Sequence, residues 1–346
     1  MPHSRSKTPR RFDKRQFLVW GAAIVGISGL PLAVAQNPNS SPYPQTNLQP
    51  NSNPALLQDE VWTDSARSRD LPILVRWPVA SALGVILFSH GMGGSRTGAD
   101  VWGQAWAAAG FCVVHLQHPG SDAPALRGGM AALTKAMGPE QLPVRVADAR
   151  FVMDEIGCRH DQKLPRWADL PIKKMGFAGH SYGARTAQAL AGQAYPNGGG
   201  WQGTDARIKA FAMFSPALGK DTSLPQATQE ALKMTRPTLL ITGTLDGEVL
   251  GNGETPESRR MVFDSLPAGQ KSLLLLSGAD HMTFAGVAKT IPSSFLLKRA
   301  ASTLQAEPQH HALSAQITTQ WWLAQLAGAA IPEPSGLDSN DVWLKG

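Results

Sequence analysis

The segment that most restricts the fold is Gly179-His180-Ser181-Tyr182-Gly183, set between the apolar run Lys174 to Ala178 and a stretch in which Ala184, Ala187, Ala191 and Ala194 recur at helical spacing. An apolar run of that length reads as a strand, and the alanines put a small-residue stripe on one face of a helix, which allows close packing on a sheet. A strand that passes into a helix through a single serine needs neighbours without side chains two residues away on either side, because the turn is too sharp for a Cβ there. This unit calls for a layered α/β architecture.

The rest of the chain agrees. Leu83 to Ser89, Phe111 to Leu116, Ile208 to Phe214, Pro237 to Thr242 and Ser272 to Leu276 are further short apolar runs, the pattern of strands buried on both faces. Between them, Trp102, Ala105, Trp106 and Ala109 share one helical face, Val144, Ala147 and Phe151 another, and Leu313, Ile317, Trp321 and Ala324 a third near the end. Strands alternating with helices predict a mostly parallel central sheet covered by helices on both faces, with its ligand site at the carboxyl ends of the strands.

The chemistry-bearing residues fall at those strand ends. Ser181 follows one strand, and the helix after it aims its first amides at any charge that develops beside the hydroxyl. A serine hydroxyl needs a base, and with this elbow the acid and the histidine follow the nucleophile in the chain. Of the histidines after Ser181, His281 sits in a strand-end loop, whereas His310 and His311 fall in a polar stretch expected to be solvated. Asp246 follows the Pro237 to Thr242 strand; Asp280 competes with it but, adjacent to His281, rarely reaches that ring end-on. The expected triad is Ser181, Asp246 and His281. Two amides for an oxyanion are expected from Tyr182 and from Met92 in the turn Ser89-His90-Gly91-Met92-Gly93. Gly179, His180, Gly183, His90 and Gly91 support these two turns. The glycines around Met92 lack the lysine and spacing of a phosphate-binding loop, and His115 with His118 has no third ligand nearby in sequence, so neither a cofactor nor a metal is expected.

With these residues in place, the stretch from about Val61 to Leu326 resembles the α/β-hydrolases, in particular platelet-activating-factor acetylhydrolases and dienelactone hydrolase-like proteins. The resemblance rests on the Ser89-to-Gly93 turn, His118-Pro119-Gly120-Ser121, the Gly179-to-Gly183 elbow and the Asp246 and His281 loops. It implies a Ser-Asp-His hydrolase of acyl esters with Met92 and Tyr182 as oxyanion donors. True dienelactone hydrolases carry a cysteine nucleophile where Ser181 stands. Small-molecule, lipid and polyester substrates all remain open, as do a serine peptidase and a non-catalytic ligand binder on the same scaffold.

Charge bears on address rather than on partner. The 346 residues carry a net +6 and a pI near 9.4. Residues 1–35 hold six of the basic residues against the single acid Asp13, so a net +5 lies there and the remainder is near neutral. A nucleic-acid partner is therefore not expected. The basic stretch precedes the 16-residue apolar run Phe17 to Leu32 and then Ala33-Val34-Ala35, the layout of a cleaved export signal. The run is shorter than the roughly 20 residues that span a bilayer. Lys14-Arg15-Gln16-Phe17-Leu18 is similar to a twin-arginine motif with lysine in the first place, leaving the export route open. Residues 36–58, rich in Asn, Pro, Ser and Gln, read as a disordered spacer, 59–330 as the hydrolase domain and 331–346 as a tail. Segments 121–141 and 282–310 read either as a cap or as ordinary surface. The two cysteines, Cys112 and Cys158, permit one bridge or two free thiols. A monomer, exported to the periplasm or beyond, is expected. N-terminal sequencing of the exported chain should begin at Gln36; a chain retained at the membrane with residues 1–35 intact would show the run to be an anchor.

Overall fold

The computed structural model describes residues 56–127, 129–195, 201–218, 221–247, 249, 253–289 and 298–346. The expected export signal and most of the spacer lie outside them.

The chain alternates as the apolar pattern requires. Strands β1 (Leu56–Asp64), β2 (Arg69–Trp77) and β3 (Gly84–Ser89) precede helix α1 (Asp100–Ala108), β4 (Phe111–Leu116), two short helices α2 (Ala123–Leu126) and α3 (Gly129–Ala136), and the long α4 (Gln141–Asp161). Then come β5 (Met175–His180), α5 (Tyr182–Ala191), β6 (Ile208–Phe214), α6 (Leu224–Ala231), β7 (Thr238–Leu245), α7 (Pro256–Ser265), β8 (Lys271–Asp280), α8 (Ala301–Ala327) and β9 (Val342–Lys345). The strands form one sheet in the order β1-β2-β4-β3-β5-β6-β7-β8-β9. Its middle, from β4 to β8, is parallel, and β1, β2 and β9 are antiparallel additions at the two edges. The strand order reverses between β4, β3 and β5, so a crevice opens where the ends of β3 and β5 face each other.

Two cores cover the sheet. On one face α4, α5, α6 and α7 pack Val146, Val152, Ala184, Ala187, Ala227 and Val262 against Val85, Phe177 and Met213. On the other, α1 and α8 pack Trp102, Trp106, Ile317 and Trp322 against Ile86, Phe214 and Leu274. Trp106 meets Trp322 edge to face at 5.8 Å and donates its indole N–H to Thr318 Oγ1 at 2.9 Å. The alanine stripe of α5 is buried as expected, although the helix stops at Ala191, capped by Gly192 at φ 118°, before Ala194.

Several boundaries differ from expectation. The sheet begins at Leu56, not Asp59; β1 carries no apolar-run signal because Leu56, Leu57 and Val61 face outward on an edge strand held by backbone pairing, whereas β2 does carry one, the mostly buried run Leu71 to Val75, which was not among the expected strands. The expected tail 331–346 returns as β9, paired with β8 from Ser272↔Lys345 to Leu275↔Val342; a four-residue strand after a Pro- and Gly-containing loop is too short to read from pattern. Helix α8 starts at Ala301 and runs through Pro308, so His310 and His311 are helical and not solvated. His310 is buried, and His311 donates from Nε2 to the Thr283 carbonyl at 2.9 Å while packing edge-on to Trp102. The buried face of α4 is Leu142, Arg145, Val146, Asp148, Ala149 and Val152 rather than Val144, Ala147 and Phe151, which are only half-buried. Segment 121–141 holds α2 and α3. Both cysteines are free, Cys112 buried and Cys158 exposed. Among the described residues no helix is long and apolar enough to cross a membrane.

Trp322 is fully buried between α8, Trp106 and the sheet. Trp322→Ala is expected to cost about 3–5 kcal/mol of folding stability, read as a lowered urea midpoint at unchanged slope.

Candidate active site

At the end of β5, Ser181 adopts φ 55° and ψ −114°, a conformation an L residue holds only where its surroundings impose it. What imposes it is close packing. A Cβ at residue 183 would stand 1.8 Å from the Ser89 carbonyl oxygen, and one at residue 179 would stand 2.3 Å from the Gly183 carbonyl. Glycine at both positions lets α5 start directly beneath the end of β3. The Ser181 amide is held by the Phe214 carbonyl of β6 at 2.9 Å. Its hydroxyl is thereby presented above the sheet, with the free first-turn amides of α5 beside it.

The expected acid and base arrive by register. Leu245 and Asp280 are partners across β7 and β8, after a local irregularity at Gly243, so the next residues of the two strands, Asp246 and His281, emerge side by side. His281 Nδ1 lies 2.8 Å from Asp246 Oδ1, and His281 Nε2 lies 3.0 Å from Ser181 Oγ. The three residues expected from sequence form one hydrogen-bonded line. Asp246 is fully buried; it accepts from Thr242 Oγ1 at 2.8 Å and pairs with Arg259 Nε at 2.7 Å. Burial alone would raise its pKa, but His281 and Arg259 outweigh it and hold the carboxyl below the ordinary aspartate value. Its rival Asp280 is occupied elsewhere, by Arg299 Nε at 2.7 Å and the Thr283 amide at 2.9 Å.

The turn after β3 reaches the elbow. A Cβ on Gly91 would lie 3.3 Å from Ser181 Cβ and 3.1 Å from His180 Nδ1, closer than ordinary van der Waals contact, so glycine eases this approach. Met92 follows it and lines two recesses that share Ser181 and Glu254. The larger, about 270 Å³, is walled mainly by Phe88, Ala99, Val249, Met282, Ala285 and Val287. The smaller, about 130 Å³, is walled by Met137, Tyr182, Arg185 and Ala217. His180 donates from Nε2 to the His281 carbonyl at 3.0 Å, clasping the base loop to the elbow.

The fold has a counterpart among solved structures. The chain is similar to a ferulic acid esterase from Streptomyces cinnamoneus, with a TM-score of 0.57 and 18% identity over 84% of this chain and 95% of that one. It is also similar to dienelactone hydrolase from Anabaena variabilis, with a TM-score of 0.48 and 18% identity over 78% and 99% of the two chains. The chain has the α/β-hydrolase fold. No known protein-family pattern matches its sequence, and no curated protein does.

Within this fold, some residues around the site were not foreseen. Arg259, on α7, holds Asp246 and also donates to the carbonyls of Ser215 and Pro216 and to Glu254. Arg145, on α4, lies under the elbow with its guanidinium 4.6 Å over the Tyr182 ring. Their sequence signal is a charged residue among apolar ones on a helix face, Arg145 sharing its face with Asp148. His115 and His118, considered as a metal pair, have other partners: His115 Nε2 accepts from Arg76 at 3.3 Å and His118 Nδ1 meets Asp148 at 3.0 Å.

Four buried histidines are kept neutral chiefly by burial. His118 is brought down to about 4, His115 and His180 to about 3, and His90 well below its ordinary value. An unfolded histidine titrates near about 6.5. Between that value and about 4 the unfolded chain binds more protons than the folded one, so stability is complete above pH 6.5 and is lost as the pH falls. The thermal midpoint should drop steadily from pH 7 to pH 4.5, and His115→Asn should flatten the slope; a midpoint constant across that window would contradict the buried neutral state.

Proposed function

We propose that the chain is a serine carboxylic ester hydrolase acting through an acyl-enzyme. The observation that carries this reading is the unbroken line from Ser181 Oγ to His281 to buried Asp246, opening on a cavity. The fold shared with a ferulic acid esterase supports it.

In the proposed mechanism, Ser181 Oγ adds to the ester carbonyl while its proton passes to His281 Nε2. Asp246 keeps the Nδ1 proton in place and stabilises the imidazolium. The Met92 and Tyr182 amides receive the oxyanion, the second of them reinforced by the start of α5. The carbon–oxygen bond to the alcohol then breaks, and the His281 proton goes to the leaving oxygen. Water repeats the sequence: it yields a proton to His281, attacks the acyl carbon, and the acid leaves as Ser181 regains its hydroxyl. No cofactor enters any step.

The substrate follows from the recesses. The larger one is mainly apolar and, at about 270 Å³, is below the roughly 300–1,000 Å³ of pockets that enclose drug-sized ligands. A short acyl group in the larger recess, with the alcohol portion directed to the smaller one, is the arrangement proposed. The basic N-terminal segment supports export of the enzyme to the periplasm or beyond.

The test is hydrolysis of an ester series of increasing acyl length by the mature chain. Turnover should peak at short acyl groups and decline for long ones. By the behaviour of measured triads, Ser181→Ala should lower kcat by about a millionfold and Asp246→Asn by about ten-thousandfold. Ester hydrolysis surviving in Ser181→Ala would remove the reading, and a preference for long-chain lipids would remove only the assignment of the recess.

A further inference from the structure

Beneath the elbow lies a second run of Ser, His and Asp, none of it in the triad. Ser89 Oγ is 3.0 Å from His118 Nε2, and His118 Nδ1 is 3.0 Å from Asp148 Oδ2. All three residues are sealed from solvent. Asp148 also accepts from Arg69 at 2.7 and 2.9 Å and from Arg67 at 2.8 Å, and this saturation holds it ionised.

The direction of every hydrogen bond in the run follows from that. An ionised Asp148 only accepts, so the His118 proton sits on Nδ1 and its Nε2 carries a lone pair. Ser89 therefore donates its hydroxyl proton to His118, and its own lone pair takes a hydrogen bond from Arg145 Nη2 at 2.9 Å. The His118 backbone N–H donates to His90 Nε2 at 3.0 Å. That leaves the His90 proton on Nδ1, where it donates to the Gly91 carbonyl at 2.6 Å. The Gly91 carbonyl and the Met92 N–H belong to one peptide unit, which is rigid and planar. Fixing the oxygen of that unit fixes the direction of its N–H, and donation to the oxygen makes the N–H a stronger donor.

Arg145 ties this turn to the nucleophile. It is fully buried and makes no ion pair among the described residues. Besides Ser89, its guanidinium donates to the His90 carbonyl, to Ser121 Oγ at 2.8 Å and to Thr186 Oγ1 at 3.1 Å. Those acceptors lie at the end of β3, in the loop after β4 and on α5, the elements that carry the two oxyanion amides and their neighbours. A guanidinium buried without a carboxylate in contact is a costly way to join three elements that apolar side chains would join as well.

We propose that His90 is a positioning residue for the reaction, and that the buried network of Arg145, Ser89, His118 and Asp148 acts through it to hold the Gly91–Met92 peptide with its N–H toward the oxyanion of the Ser181 adduct. The proposal rests on the esterase reading above, with Met92 as an oxyanion donor. Removing an oxyanion donor costs about 10²–10³ in kcat, and misplacing a reacting group by about 1 Å costs about a hundredfold. Loss of the His90 contact should fall at or below that range.

The experiment compares His90→Gln, which can still accept from the His118 N–H but has no donor at the Nδ1 position, Ser89→Ala and the double variant in the mature chain, each normalised to folded protein by titration of Ser181 with a fluorophosphonate. His90→Gln should lower kcat about 10–100-fold with KM within about twofold. The inhibition constant of a boronic acid, which forms a tetrahedral adduct on Ser181, should weaken by the same factor as kcat/KM. Ser89→Ala, which removes a single oxygen, should lower kcat about 3–10-fold alone and cause no further loss in the His90→Gln background, because groups in one network are not additive. Independent, multiplying losses in the double variant, or a KM rise matching the whole loss, would overturn the proposal, as would unchanged turnover per titrated site. Should His90→Gln fail to fold, Ser89→Ala decides through the boronate constant, which must weaken with kcat/KM. Ser181→Ala in parallel separates the outcomes: if it stays active the esterase reading falls, whereas if it is inert while His90→Gln and Ser89→Ala turn over normally only the positioning role falls.

Discussion

The contact on which the site depends is that of the Ser89 carbonyl with the backbone of Gly183. At 1.8 Å from the position a Cβ would take, it leaves no room for any side chain. This contact sets the start of α5, which follows β5, directly against the end of β3; β5 and β3 are neighbours in the sheet although far apart in the chain. Ser181 is driven into a positive φ as a consequence, at a cost of roughly 1–3 kcal/mol that the surrounding sheet must offset. The same proximity brings Gly91 against Ser181 and His180, so the nucleophile, the turn beside it and the amides of α5 share one crevice. Once β5 and β3 are fixed in this way, β6 and β7 need only continue the parallel order for β8 to deliver His281 within reach.

The parts legible in the sequence were those whose side chains state their own environment. Ile208 to Phe214 and Phe111 to Leu116 are buried on nearly every position, and their runs coincide with the strands observed. Ser181, Asp246 and His281 stood out because each follows such a run, and the structure brings all three together. Strand β2, with Leu71, Ile73 and Val75 buried, was not among the expected strands although its run is apolar; elsewhere, where pattern failed, something other than apolar side chains held the element. Strand β1 is fastened by backbone bonds with Leu56 and Leu57 outward, and β9 by four residues of pairing plus the Asp341 carboxylate on the Ser277 amide at 2.8 Å. Pro308 hid the first two turns of α8. In α4 the misread face has a single cause: Arg145 and Asp148 occupy core positions, and polarity on a helix face ordinarily signals solvent. Such residues become legible only when partners from β3, β4 and α5 are known.

Two Ser-His-Asp lines of nearly equal geometry occupy this chain, with Ser–His spacings of 3.0 Å in both and His–Asp spacings of 2.8 and 3.0 Å. Distance alone therefore does not separate the proposed nucleophile from a structural serine. The difference lies in what surrounds each hydroxyl. Ser181 stands on a turn at positive φ and lines a cavity, with backbone amides beside it. Ser89 ends a regular strand, has no exposed surface, and has its oxygen capped by a guanidinium that withdraws the lone pair an attack would need. The bases differ in the same sense. His281 sits at the rim of the crevice, where a proton it takes can be passed on to a leaving group. His118 is sealed and held neutral down to about 4 by burial and by Arg145, against the pull of Asp148. A protonated His118 would add a cation next to Arg145 in a site without water, so its tautomer is locked and it transmits orientation instead of protons. Under the proposed function one motif serves as a proton path and the other as a brace, and solvent access decides which.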